Sequence, residues 1–197
     1  DGEILYSEEL DNITSAEVLD ITSRHDIRAN LYCGREWYVD QRDKWVDREE
    51  HITGDQATVA EYAEVLEKWK TQNKGANKIL CMGEAEKIDR VQKDLETYNT
   101  GQLRIERSDA IFLEVMAATV SKAAAVEKIA GLYGYEMADV VAIGDNYNDI
   151  TMLEQAGLGI AMANAPQGVK DRADETTPSN DENGVAIAID KIFPPAR

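Results

Sequence analysis

Apolar residues recur along this chain with two periods, and the changes of period mark out its elements. Residues 27–33 and 36–39 are rich in aromatic and branched side chains and flank Gly34-Arg35, which predicts a β-hairpin. Residues 56–71 place Val59, Tyr62, Leu66 and Trp69 at steps of three and four, which predicts an amphipathic helix after Gly54-Asp55. A strand over 78–82, a helix over 84–98 through Ile88, Val91 and Leu95, and strands over 103–106 and 110–116 follow. Nearer the start, Thr14 or Ser15 suits the cap of a helix with Ala16, Val18 and Leu19 on one face, and Glu3-Ile4-Leu5-Tyr6 alternates like a strand end. This half reads as an α+β layer of strands with helices on one side.

Beyond residue 120 the pattern changes. An alanine-rich helix over 121–131 precedes Val140-Val141-Ala142-Ile143, a short continuous apolar run of the kind a parallel strand shows when both faces are covered. Gly144 ends it, and Asp145, Asn148 and Asp149 follow at once. Ile150, Met152, Leu153 and Ala156 then recur at helical spacing up to Gly157, and residues 158–162 form the next apolar run. Strand, acidic loop, helix and strand make a βαβ crossover, with the loop at the carboxyl end of the first strand, where open α/β sheets bind ligands. Pro166 suits the first turn of a further helix, and Ile187, Ile189 and Ile192 mark a terminal one. The fold class expected is α/β, with parallel strands in the second half.

Composition narrows the classes of function. With 43% hydrophobic and 30% charged residues the chain is built like an ordinary globular protein, and 197 residues allow one large or two small domains. A net charge of −17 disfavours nucleic acid or an anionic membrane as partner, since neither would gain phosphate neutralisation. Cys33 and Cys81 are too few and too isolated for a disulfide framework or zinc site, which favours a cytoplasmic location. No apolar run approaches a membrane span. His25 and His51 lack a partner pattern, and Tyr32, Trp37, Tyr38 and Trp45 read as hairpin packing. In the loop after Gly144, Asn148 or Asp149 could simply cap the helix that begins at Ile150. Against that stands the cluster itself: oxygen ligands from one or two carboxylates are what Mg²⁺ takes alongside water and substrate oxygens.

Gly144-Asp145-Asn146-Tyr147-Asn148-Asp149, continuing into Met152-Leu153 and Ala156-Gly157, resembles the last catalytic motif of the haloacid dehalogenase (HAD) superfamily, in particular its Cof-type phosphatases. The similarity runs on through residues 161–165 to 179–185. Upstream, Leu113-Glu114-Val115-Met116 followed by Ser121-Lys122 is similar to the segment carrying that family's catalytic lysine. The resemblance implies a large α+β cap domain over residues 7–115, and part of a Rossmann-like HAD core, its C-terminal half, from residues 1–6 and 116–197.

It also implies a Mg²⁺-dependent phosphohydrolase of small phosphorylated metabolites, such as sugar phosphates, acting through an aspartyl-phosphate intermediate. Asp145 would bind the metal directly. Asp149, counted with the metal and the catalytic residues, would orient Lys122 or a metal-bound water, Asn148 would contact phosphate, and Lys122 would neutralise the transferring phosphoryl group. The family's opening strand ends in Asp-x-Asp, the nucleophile and the general acid. This sequence contains no such motif, nor the family's phosphate-binding Ser or Thr segment, and it has Ala123 where a glycine usually follows the lysine. The 197 residues are therefore expected to lack catalytic activity alone, and to self-associate or pair with a missing N-terminal segment. A non-catalytic metabolite-binding fragment or pseudoenzyme, and a phosphomutase of the same superfamily, are the alternatives.

Overall fold

The structure is a computed structural model describing residues 4–194. Its chain divides into two compact units between Thr119 and Val120. In chain order the first holds α1 (Asn12–Arg24), β1 (Arg28–Cys33), β2 (Glu36–Val39), α2 (Lys44–Thr53), β3 (Thr58–Val59), α3 (Tyr62–Thr71), β4 (Lys78–Met82), α4 (Ala85–Tyr98), β5 (Leu103–Asp109) and β6 (Phe112–Ala117). The strands form one sheet in the order β3-β2-β1-β4-β6-β5, antiparallel except where β3 joins β2. The hairpin of β1 and β2 is as expected, and Gly34 turns it with φ +59°, a left-handed backbone that glycine takes without a Cβ penalty.

Strand period fixes which side chains reach the core. Leu31, Ile79 and Val115 are aligned across three neighbouring strands, all fully buried. They meet Val18 of α1, Val65 and Trp69 of α3, and Ile88, Val91 and Leu95 of α4. The opposite face is not bare: Trp37 and Val39 pack with Val46 of α2, so helices lie on both sides of this sheet rather than on one. Tyr32 stacks on Trp37 with ring centroids 5.4 Å apart, while Tyr38 meets Trp69 edge-on from the other face.

Three further expectations need correction. The cap of α1 is Asp11, whose Oδ1 accepts the N–H groups of Ile13 and Thr14 at 2.9 Å, not Thr14 or Ser15. The helix expected over 56–71 begins only at Tyr62, because Val59 lies in β3 and is exposed. Of the alternating piece at residues 3–6, residue 3 lies outside the described residues, and Ile4–Tyr6 are in no strand.

The second unit holds α5 (Lys122–Leu132), β7 (Val141–Gly144), α6 (Ile150–Gln155), β8 (Leu158–Met162), α7 (Gln167–Lys170), β9 (Glu175–Thr177) and α8 (Gly184–Ile192). Its sheet is wholly parallel, in the order β7-β8-β9, and contains the expected βαβ crossover. Ala142 and Ala161 pack against Leu153 of α6 and Val169 of α7, small residues on the strands bringing short helices close. Pairing of Gly144 with Ala161 sets the carboxyl ends of β7 and β8 side by side. Among the described residues β7 has one strand neighbour. No helix of the described residues is long and apolar enough to cross a membrane.

Candidate active site

The loop leaving β7 is folded around one carboxylate. Asp149 ends a single 3-10 turn, Tyr147–Asp149, and is only 3% exposed. Its Oδ2 accepts the backbone N–H groups of Asp145 at 2.9 Å and Asn146 at 3.0 Å, while its Oδ1 accepts Lys122 Nζ at 2.5 Å. The side chain therefore makes no cap on α6. This approach requires glycine at 144, since a Cβ there would lie 2.5 Å from the Asp149 Cβ and 2.8 Å from its Cγ. Burial by itself would raise the Asp149 carboxyl, but the Lys122 ammonium and the two backbone donors outweigh it, and the group is held below its ordinary value.

Lys122 is the first residue of α5, capped by Ser121 Oγ, which accepts the Ala124 N–H at 3.0 Å. A cation here opposes the helix dipole, and Asp149 supplies the countercharge. With half of its side chain exposed, the ammonium keeps donors for a ligand after one is given to Asp149.

Asp145 is exposed. Its Oδ2 accepts Asn164 Nδ2 at 3.0 Å, and Asn164 Oδ1 accepts the N–H of Asn180 at 3.0 Å. The Asn148 Oδ1, in the same turn, is shielded from solvent and has no hydrogen-bond partner among the described residues. Lys122, Gly144, Asp145 and Asp149 line one concavity of about 350 Å³, with Met152, Met162 and Val185 as its apolar wall. Three of the four residues singled out in the sequence, Lys122, Asp145 and Asp149, thus meet at one concavity, while Asn148 lies in the same turn without lining it. Asn164 was missed, because its sequence neighbours Ala165 and Pro166 mark only the start of a helix.

The donors fit Mg²⁺ in kind, being hard oxygens with neither thiolate nor imidazole beside them. They are few: among the described residues no three His, Cys, Asp or Glu side chains cluster as a metal cage. Mg²⁺ commonly takes one or two carboxylates and completes its shell with water and phosphate oxygens, so the single exposed carboxylate of Asp145 is compatible with it.

A parallel sheet with a carboxylate loop and a helix-borne lysine at its carboxyl edge defines an open α/β protein with charged side chains gathered where such sheets bind ligands. Residues 1–189 match the family model of haloacid dehalogenase-like hydrolases, and the chain belongs to that family. A Haemophilus influenzae protein named as a candidate phosphatase is 33% identical over 194 residues, which span 98% of this chain and 71% of the relative. The Bacillus subtilis 5-amino-6-(5-phospho-D-ribitylamino)uracil phosphatase YwtE is 38% identical over 59% of this chain and 40% of its own length. Among solved structures, a haloacid dehalogenase-like hydrolase from Bacteroides thetaiotaomicron superposes with a TM-score of 0.81 at 29% identity, over 97% of this chain and 70% of that one.

Proposed function

We propose that these residues form the metal- and phosphate-binding part of a Mg²⁺-dependent phosphohydrolase of small phosphorylated metabolites, sugar phosphates among them, working in the cytoplasm. The observation that carries the reading is the Lys122–Asp149 pair set beside the exposed Asp145 carboxylate where β7 ends. Membership of the hydrolase family and phosphatase names among its relatives support it. Residues 7–115, which fall within the unit that ends at Thr119, are read as the cap, which chooses the substrate.

In this reading Asp145 holds the cation. Mg²⁺ would supply the positive charge that a phosphate dianion needs in a chain of net charge −17. Lys122 donates to phosphoryl oxygens as charge builds on them, while Asp149 fixes its direction. Both Asp149 oxygens are already engaged, so its service to the metal is to fold the loop that presents Asp145. Asn148 is read as a phosphate contact through its Nδ2, a donor that adds no negative charge, since its Oδ1 is shielded from solvent. The covalent step is assigned to an aspartate outside these 197 residues, which contain no Asp-x-Asp.

The test is Mg²⁺-dependent phosphate release from an aryl phosphate by the 197-residue chain beside the full encoded protein. The chain alone should release none, and Asp145→Asn in the full protein should lower turnover on the order of 100-fold or more, the scale of a lost electrostatic stabiliser. Turnover by the short chain at the rate of the full protein would refute the assignment of the nucleophile. Near-normal activity of Asp145→Asn at limiting Mg²⁺ would refute the metal ligand.

A further inference from the structure

We propose that Asn164 is a positioning residue for Asp145, holding one carboxylate oxygen so that the other stays turned toward a bound cation. The inference rests on the reading of Asp145 as the metal ligand. Asn164 stands in the turn after β8, which is closed by the Ala165 N–H donating to the Met162 carbonyl at 2.9 Å. The parallel pairing of β7 and β8 places that turn beside the Asp145 loop, although 19 residues of chain separate the two side chains.

The orientation of the amide follows from its partners. The backbone N–H of Asn180 can only donate, so it must meet Asn164 Oδ1, and this leaves Nδ2 facing the Asp145 carboxylate. Reversing the amide would set donor against donor and oxygen against oxygen. The anchor is itself fixed: Asn180 opens a 3-10 turn closed by Ser179 Oγ donating to Glu182 Oε2 at 2.7 Å. Asp145 Oδ1, by contrast, accepts no hydrogen bond among the described residues. A neutral donor suits the task, because it orients the carboxylate without competing with a metal for it as a lysine or arginine would.

The experiment follows the Asp145 and Asn146 amide resonances of the 197-residue chain as Mn²⁺ alone is added, reading the concentration that broadens them by half. This local signal separates the site from background binding to an acidic surface. Asp145→Asn should abolish the selective broadening. Asn164→Ala should require about 10-fold more Mn²⁺, the lower end of what loss of a ligand-orienting partner costs.

Asn180→Pro removes the N–H that fixes Asn164, at the cost otherwise of only a long 3.4 Å exposed contact from Asn180 Nδ2 to Asp181 Oδ1. Proline is tolerated at a first helical position, and Ser179, with φ −70° and ψ 170°, already has the extended backbone a following proline demands. It should weaken binding too, and the double variant should be no weaker than Asn164→Ala, since both act along one path. If Asp145→Asn loses the site and Asn164→Ala keeps it, this inference alone is overturned. If Asp145→Asn changes nothing, the metal reading falls with it. Effects of Asn164→Ala and Asn180→Pro that multiply would overturn the path. Should Asn164→Ala fail to fold, unchanged binding in Asn180→Pro would be decisive against the proposal.

Discussion

Adding one methyl group at Gly144 should unfasten the loop that carries Asp145. The new Cβ of Gly144→Ala would fall 2.5 Å from Asp149 Cβ, 2.8 Å from Cγ and 2.9 Å from Oδ2, all closer than packed atoms stand. Gly144 is the last residue of β7 and pairs with Ala161, so the strand resists moving and the Asp149 side chain must retreat. Overpacking of this kind costs about 1–3 kcal/mol. Retreat also breaks the two backbone bonds to the carboxylate, and a bond to a charged group is worth about 1.5–3 kcal/mol, less where water can take its place. Asp145 and Asn146 are exposed, so water replaces much of that loss, leaving a net destabilisation of about 2–4 kcal/mol for this unit. Trp37, Trp45 and Trp69 all lie in the other unit, so tryptophan fluorescence would not register the change. Amide hydrogen exchange would. Protection in β7 and β8 should fall roughly 30- to 700-fold, at tenfold per 1.4 kcal/mol. Protection within about threefold of the parent chain would refute the steric argument.

Two titrations extend the reasoning. Glu36 accepts from Lys68 at 2.6 Å, Tyr38 at 2.8 Å and Lys74 at 3.0 Å, and Lys68 is the chief cause that holds its carboxyl down at about 2, against an ordinary 4.5. Because the folded form is the more acidic, its stabilisation is complete above about pH 4.5 and is lost as pH falls towards 2. Glu36→Gln should therefore flatten the acid limb of unfolding followed by tryptophan emission, which reports this unit alone, and an unchanged limb would contradict the assignment. Lys122→Met should raise the Asp149 carboxyl, since burial, which opposes ionisation, is then resisted by the backbone donors alone. A carbon-detected carboxyl titration should show the higher midpoint, with the second unit losing stability at higher pH than the parent chain; an Asp149 midpoint that stays put would exclude the ion pair.

The sequence was most legible where one period dominates. Ile88, Val91 and Leu95 marked α4 and are all fully buried in it, and the continuous run after Asp139 marked a parallel strand of the second unit. α2 was missed because only Val46 of its ten residues is buried, too little to make a stripe. Its signals were at its ends: Asp43 accepts the N–H groups of Trp45 and Val46, and Gly54 closes it with φ +77°. β9 is three residues long with two of them exposed, and no periodicity survives in so short a piece. In the site, the residue types of the Gly144–Asp149 loop could be read from their order. That both oxygens of Asp149 would be consumed by its own loop and by Lys122 could not, nor could the Asn164 contact, which exists only because two strands end together.

Asp149 also limits what mutagenesis can say about this site. A carboxylate that serves three donors at once ties the shape of a loop, the direction of a lysine and the placement of a second carboxylate to a single position. A loss of function on substituting it would sum all three, and the sum would pass for a direct chemical role. Changes at Lys122 or Asp145 each cut one branch and leave the knot tied, so their separate effects, and the shortfall between them and the loss at 149, are what would divide architecture from chemistry.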